Sequence, residues 1–123
     1  MWRRNVHVVA NAEIQLFKEL GRRCLTRGLR TQYGFVFDFE KDLVYGTTVD
    51  FYWPALLYAV FLDGDRVHGK FHQARKDELI TTALQGRGVF VDRFQYRAPI
   101  SNKALNVIAD AIEKRINMLA LKP

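Results

Sequence analysis

A single α/β domain, with a mixed sheet of about four strands flanked by helices, is the fold this sequence predicts, and three observations carry the prediction. The chain has 123 residues, 49% hydrophobic and 26% charged, which is the size and balance of one globular domain able to bury a core without disulfide or metal. Amphipathic stretches with helical spacing alternate with runs of β-branched and aromatic residues. Their order is α, three strands, α, β, α, with no repeat, linker or low-complexity tract between them, so one core at about 11–96 and a last helix at about 101–121 account for the chain.

Each element has a local reason. Asn11 is placed to N-cap a helix running to about Arg27, where Gly28 is the stop. Leu16, Phe17, Leu20 and Cys24 form one stripe of that helix; Glu13 falls inside the stripe and Glu19 outside it, so Glu13 is the acid expected to turn inward. Stretches 29–39 and 43–53 are dominated by β-branched and aromatic residues around a turn at Lys41 and Asp42. A third strand is expected at 56–62, after a turn at Pro54 and Ala55, which makes Asp50 and Leu62 near cross-strand neighbours. A helix follows at 73–85, ended by Gly86 and Gly88, then a strand in VFVDRF from Val89. Ser101 caps a last helix on which Leu105, Ile108, Ile112, Ile116 and Leu119 keep helical spacing.

Nineteen Lys and Arg against thirteen Asp and Glu leave a net charge of +6, a balance that favours polyanionic partners through long-range attraction and counterion release. The competing reading is a basic surface with no special task. The basic residues recur along the chain in small groups, so only the fold can gather them. A single cysteine, Cys24, excludes an internal disulfide and a cysteine-rich zinc cage and suits a reducing, intracellular setting. The N-terminal stretch has two arginines and a short apolar patch broken by His7, and resembles neither a secretory signal nor a membrane span; a soluble, cytoplasmic protein is expected.

Four residues could carry chemistry. Asp50 stands in Val49-Asp50-Phe51-Tyr52-Trp53, where a carboxylate is costly unless paired; a hard cation would pair it, as would a cross-strand base or an exposed sheet face. His68 follows the turn Asp63-Gly64-Asp65 and has a pKa suited to taking a proton from water. Asp77 lies on the first turns of the next helix, where it can hold an imidazole or simply favour the helix dipole. Glu13, in the stripe of the first helix, asks for a polar partner inside the domain. Asp63 and Asp65 read as ordinary turn chemistry.

Asp-Phe-x-x-Pro from Asp50, a hydrophobic strand ending in Phe61 before Gly64, and His68 after it together resemble the core of the very-short-patch-repair (Vsr) endonucleases. They are similar also to the related Glu-Asp-x-His-Asp (EDxHD) nucleases, which include phage homing endonuclease catalytic domains. The likeness continues through Asp77, Leu84 and Gly88, and upstream through Glu13-Ile14-Gln15-Leu16 with Leu20. It implies a restriction-endonuclease-like (Vsr-like) core and a Mg²⁺-dependent DNA endonuclease, with Mn²⁺ able to substitute. On the same resemblance Asp50 and the Leu62 backbone carbonyl bind the metal and His68 is the general base or orients the attacking water. Asp77 then holds His68, and Glu13 contacts the metal through water.

The basic residues Arg66, Lys70, Arg75 and Lys76 are the expected DNA contacts. Zinc is not expected, since only His68 and His72 lie near the site and the chain has one cysteine. The PD-(D/E)xK pattern of the wider superfamily fits less well, because Phe61 stands where many relatives have Glu. A nucleic-acid-binding module that keeps the fold without turnover is the alternative. A small α/β enzyme or interaction domain with incidental basicity is the third reading. No base-reading element is visible in the chain, so specificity is expected from its loops, from a homodimer through the last helix, or from a partner.

Overall fold

Helical and extended patterns resolve, in the computed structural model, into α1 (Asn11–Arg22), β1 (Arg30–Phe39), β2 (Leu43–Trp53), β3 (Tyr58–Gly64), α2 (Lys70–Gly86), β4 (Phe90–Tyr96) and α3 (Asn102–Ala120). The structure describes residues 11–39, 43–64 and 70–121. The four strands lie in the order β1-β2-β3-β4; the first three form an antiparallel meander, and α2 crosses over so that β4 runs parallel to β3. This is the predicted single α/β domain with a mixed sheet.

Two apolar layers hold the sheet. On one face Ala12, Leu16 and Leu20 of α1 and Leu105, Ile108, Ala109 and Ile112 of α3 pack with Phe51, Trp53, Tyr58 and Val60. On the other, Ile80 and Leu84 of α2 pack with Phe37, Val49, Tyr52, Ala59 and Phe61. β3, covered on both faces, therefore begins with four consecutive buried residues, Tyr58 to Phe61, as expected for a central strand. Burial of a side chain the size of Val60 or Phe61 contributes about 1.5–3 kcal/mol. Ser101 caps α3 as predicted, its hydroxyl accepting from the Ala104 N–H at 3.1 Å. A polar tie fastens α3 to the sheet: the Tyr58 hydroxyl donates to Asp92 at 2.7 Å, and Arg115 donates to both oxygens of Asp92 at 3.2 Å.

The first helix departs from its expected outline. It ends at Arg22, not near Arg27, because Cys24 turns into the left-handed region (φ 60°). The Leu25 N–H then reaches the Leu20 carbonyl at 2.9 Å and the Cys24 N–H reaches Gly21 at 3.0 Å, a Schellman closure that places Leu25 on the core beside Leu20. Cys24 and Phe17, expected in the buried stripe, are exposed; Ala12, Leu16 and Leu20 form it. Glu19, expected outside, is only 14% exposed, because Arg22 and Arg23 bond it and Arg23 also spans to Asp110 and Glu113 of α3. β3 starts two residues later than expected, since Pro54–Leu56 form a 3₁₀ turn, and α2 starts earlier, at Lys70. Among the described residues no helix is long and apolar enough to cross a membrane.

Candidate active site

Pairing between β1 and β2 skips one step. Thr31 pairs with Phe51 and Tyr33 with Val49, while Gln32 and Asp50 between them do not pair. Gln32 sits at φ 52°, in the left-handed region, which costs a residue other than glycine about 1–2 kcal/mol. The side-chain alternation slips there too: Val49 belongs to the layer under α2, yet Phe51, two residues on, belongs to the layer under α1 and α3. Asp50 and Gln32 are thereby released from both apolar layers.

β2 and β3 also separate at this point. Their last pair toward the site is Phe51 with Val60, so Leu62 lies beyond the ladder and its N–H is taken by Asp50 Oδ2 at 2.7 Å. The expected neighbourhood of Asp50 and Leu62 is therefore present, made by a side chain and not by a backbone pair. In an extended strand a residue's carbonyl faces the same edge as its N–H, which turns the Leu62 carbonyl toward the same gap. From α1, Glu13 completes the group: Gln32 Nε2 donates to Glu13 Oε1 at 2.6 Å and to Asp50 Oδ1 at 3.4 Å. Burial raises the Asp50 pKa above the usual carboxylate range, an effect opposed by the hydrogen bonds from Leu62, Glu13 and Gln32 and by the field of Arg93.

Arg93 of β4 is fixed on three sides. Its Nε donates to Thr81 Oγ1 at 2.9 Å, its Nη2 to the Asp77 carbonyl at 3.2 Å, and its guanidinium lies 3.9 Å from the Phe61 ring centroid. Nη1 faces two acids at longer range, Asp63 at 3.6 Å and Asp77 at 3.8 Å. Asp77 is thus half-buried at the site's edge in an ion pair with Arg93. Its expected partner His68 lies outside the described residues, as do Arg66 and Asp65. Lys70, His72 and Arg75 belong to α2, but their side chains lie outside the described residues; Lys76 is exposed.

The structure therefore brings Glu13, Asp50 and the Leu62 backbone together, with Asp77 nearby through Arg93. Among the described residues no set of three or more His, Cys, Asp or Glu forms a metal cluster; Glu13 and Asp50 are a carboxylate pair bridged by the Gln32 amide, with no guanidinium between them as there is between Asp63 and Asp77. Sequence reading missed Gln32 and Arg93. Arg93 carries the signal that singled out Asp50, a charge within a strand of apolar residues, whereas nothing in Thr31-Gln32-Tyr33 marks a glutamine for the left-handed region. Comparison of the chain with protein-family models, with curated proteins and with solved structures finds no match.

Proposed function

We propose that this domain is a divalent-metal-dependent phosphodiesterase, and more narrowly an endodeoxyribonuclease of the Glu-Asp-x-His-Asp kind. The observation that carries the reading is the Glu13 and Asp50 pair, set where two strands part, with Asp50 partly buried and making no ion pair among the described residues. A buried carboxylate without a counter-cation is costly. The donor set fits a hard cation: Glu13, Asp50 and the Leu62 carbonyl offer oxygen ligands only, and Mg²⁺ needs few of them because it keeps several waters. Bound there, Mg²⁺ or Mn²⁺ would neutralise a substrate phosphate and lower the pKa of a bound water.

The protein's own residues do the rest. Leu62 N–H and Gln32 fix the orientation of the carboxylates. Arg93, held by Thr81 and Phe61 and shared with Asp63 and Asp77, is the cation whose field reaches Asp50, and it would offset negative charge growing on phosphate oxygens bound beside that acid. Asp77 holds Arg93 through its backbone carbonyl as well as its carboxylate. Proton abstraction by His68 is carried by the sequence resemblance alone. The sheet order with its parallel last strand is compatible with a restriction-endonuclease-like core. The net charge of +6 supports a polyanionic partner, for which DNA is the reading the sequence resemblance implies.

The test is incubation with single-stranded, duplex and branched DNA in Mg²⁺, Mn²⁺ and EDTA. Metal-dependent cleavage supports the reading. Salt-sensitive binding without cleavage of any substrate supports the alternative, a binding module that keeps the fold. Absent or salt-insensitive binding removes nucleic acid as the partner.

A further inference from the structure

Beside the carboxylate pair, a cleft of about 260 Å³ opens between α1 and β1. Glu13, Ile14, Phe17 and Lys18 of α1 line it together with Thr31 and Gln32 of β1 and the buried Phe51, so it shares Glu13 and Gln32 with the carboxylate pair. The lining is almost entirely apolar. Two large apolar side chains of α1 are left in water at this cleft, Ile14 at 44% and Phe17 at 45% exposure, although the neighbouring turns of the helix bury Ala12, Leu16 and Leu20 completely or nearly so. An apolar cleft with a few polar groups at its margin is the usual form of a small-ligand site.

We infer that this cleft receives one unpaired nucleobase of the substrate strand, stacked on Phe17, with the adjoining phosphate directed to the cation that the Glu13 and Asp50 pair would hold. The inference rests on the nuclease reading and names the substrate class within it. Size favours a nucleobase: the cleft lies just below the range of drug-sized pockets, enough for a planar ring system and too small for a docking helix. Charge suits it as well: Lys18 lines the cleft opposite in sign to Glu13, and the chain as a whole carries +6, which favours an apolar ring attached to an anionic backbone. A base enters only if it leaves its stack, which costs least where it is already unpaired. The enzyme is therefore expected to act at single-stranded, flapped or branched positions in preference to continuous duplex.

The probe is an oligonucleotide carrying one 2-aminopurine, whose fluorescence falls on stacking, offered to the full chain in EDTA and in Ca²⁺ as a single strand and as a perfect duplex. Stacking on an aromatic side chain is sequence-tolerant and accounts for a large share of single-strand affinity. Quenching is expected for the single strand and not for the duplex. Phe17→Ala, at an exposed position the fold tolerates, should abolish the quenching and weaken single-strand binding about 5- to 20-fold, with duplex binding unchanged; Phe17→Trp should restore both. Binding without quenching, or an equal loss for both DNA forms, overturns the inference. Metal-dependent cleavage that Phe17→Ala leaves unchanged on every substrate overturns it while the nuclease reading stands. Quenching lost in Phe17→Ala but without cleavage in Mg²⁺ sustains the cleft and removes the nuclease reading, and failure to bind any nucleic acid removes both.

Discussion

Asp50 and Asp92 are carboxylates of the same sheet, half-buried on β2 and β4, and their surroundings are opposite. Asp92 is held by a guanidinium on both oxygens and by the Tyr58 hydroxyl. Asp50 is held by an amide and a backbone N–H, shares a hydrogen bond with a second carboxyl, and makes no ion pair among the described residues. Burial correspondingly raises the Asp50 pKa. One acid is spent on joining a helix to the sheet, and the other is oriented by neutral donors, with Arg93 acting on it only through its field. On the proposed reading, the difference separates a carboxylate used for architecture from one available to a cation.

The sharpest way to break this contrast is to remove each acid. Asp50→Ala should reduce Mg²⁺-dependent DNA cleavage at least about 10³-fold, with the protein folded and DNA binding equal or tighter. Asp92→Ala should retain cleavage per folded molecule and lose about 1–3 kcal/mol in urea unfolding, because it strands the buried Tyr58 hydroxyl. Cleavage that survives Asp50→Ala, or disappears in a folded Asp92→Ala, would reverse the assignment.

Next in size is Arg93. Arg93→Gln should lower kcat about 10²-fold with a small change in KM, measured under saturating metal, since a charge aimed at the transition state acts on turnover. Arg93→Lys should recover part of it; a loss confined to KM would make Arg93 a substrate-binding group only.

Glu13→Gln and Glu19→Gln sharpen the comparison within α1. The first should lower activity about 10-fold or more and raise the Mg²⁺ concentration needed for half-maximal cleavage. The second should leave activity unchanged, because Arg22 and Arg23 occupy Glu19 and hold its pKa low, Arg23 most. Equal effects would undo the distinction between the two acids.

The smallest effect expected is thermal. Because burial raises the Asp50 pKa, the native state binds that proton more tightly than the unfolded chain does. Its contribution to stability is therefore greatest below the unfolded value, about 3.9, and declines as pH rises through the native one. Asp50→Asn should raise Tm by a few degrees at pH 7 in EDTA, with the gain shrinking as the pH falls toward 4. A gain that persists unchanged at low pH would trace to packing and not to the charge.

Much of this was legible in the sequence because it rests on local pattern. The order of elements follows from periodicity; β2 occupies the expected 43–53, and Ser101 caps α3. Asp50 stood out as a charge among Val49, Phe51, Tyr52 and Trp53, and Glu13 by its phase on α1. The end of α1 was missed because Cys24, with no glycine at that position, takes the left-handed turn. Phe17 was assigned to the core because helical phase says which residues share a side and not where the covering layer stops. Arg93 was missed because its role depends on α2 and β3 arriving beside it, a tertiary fact that no window of sequence contains.

The slipped step at Gln32 and Asp50 has a mechanical consequence. Before it the β1–β2 hairpin faces α1 with Thr31 and Phe51; beyond it Tyr33, Phe35 and Phe37 lie with Tyr52 on the side of α2. The hairpin is therefore a stitch passing from one apolar layer to the other, and the carboxylate site is where the thread crosses. Glu13 is carried by one layer and Asp50 stands at the crossing, with Gln32 bonded to both. A ligand held between the two acids would tie the layers at that point.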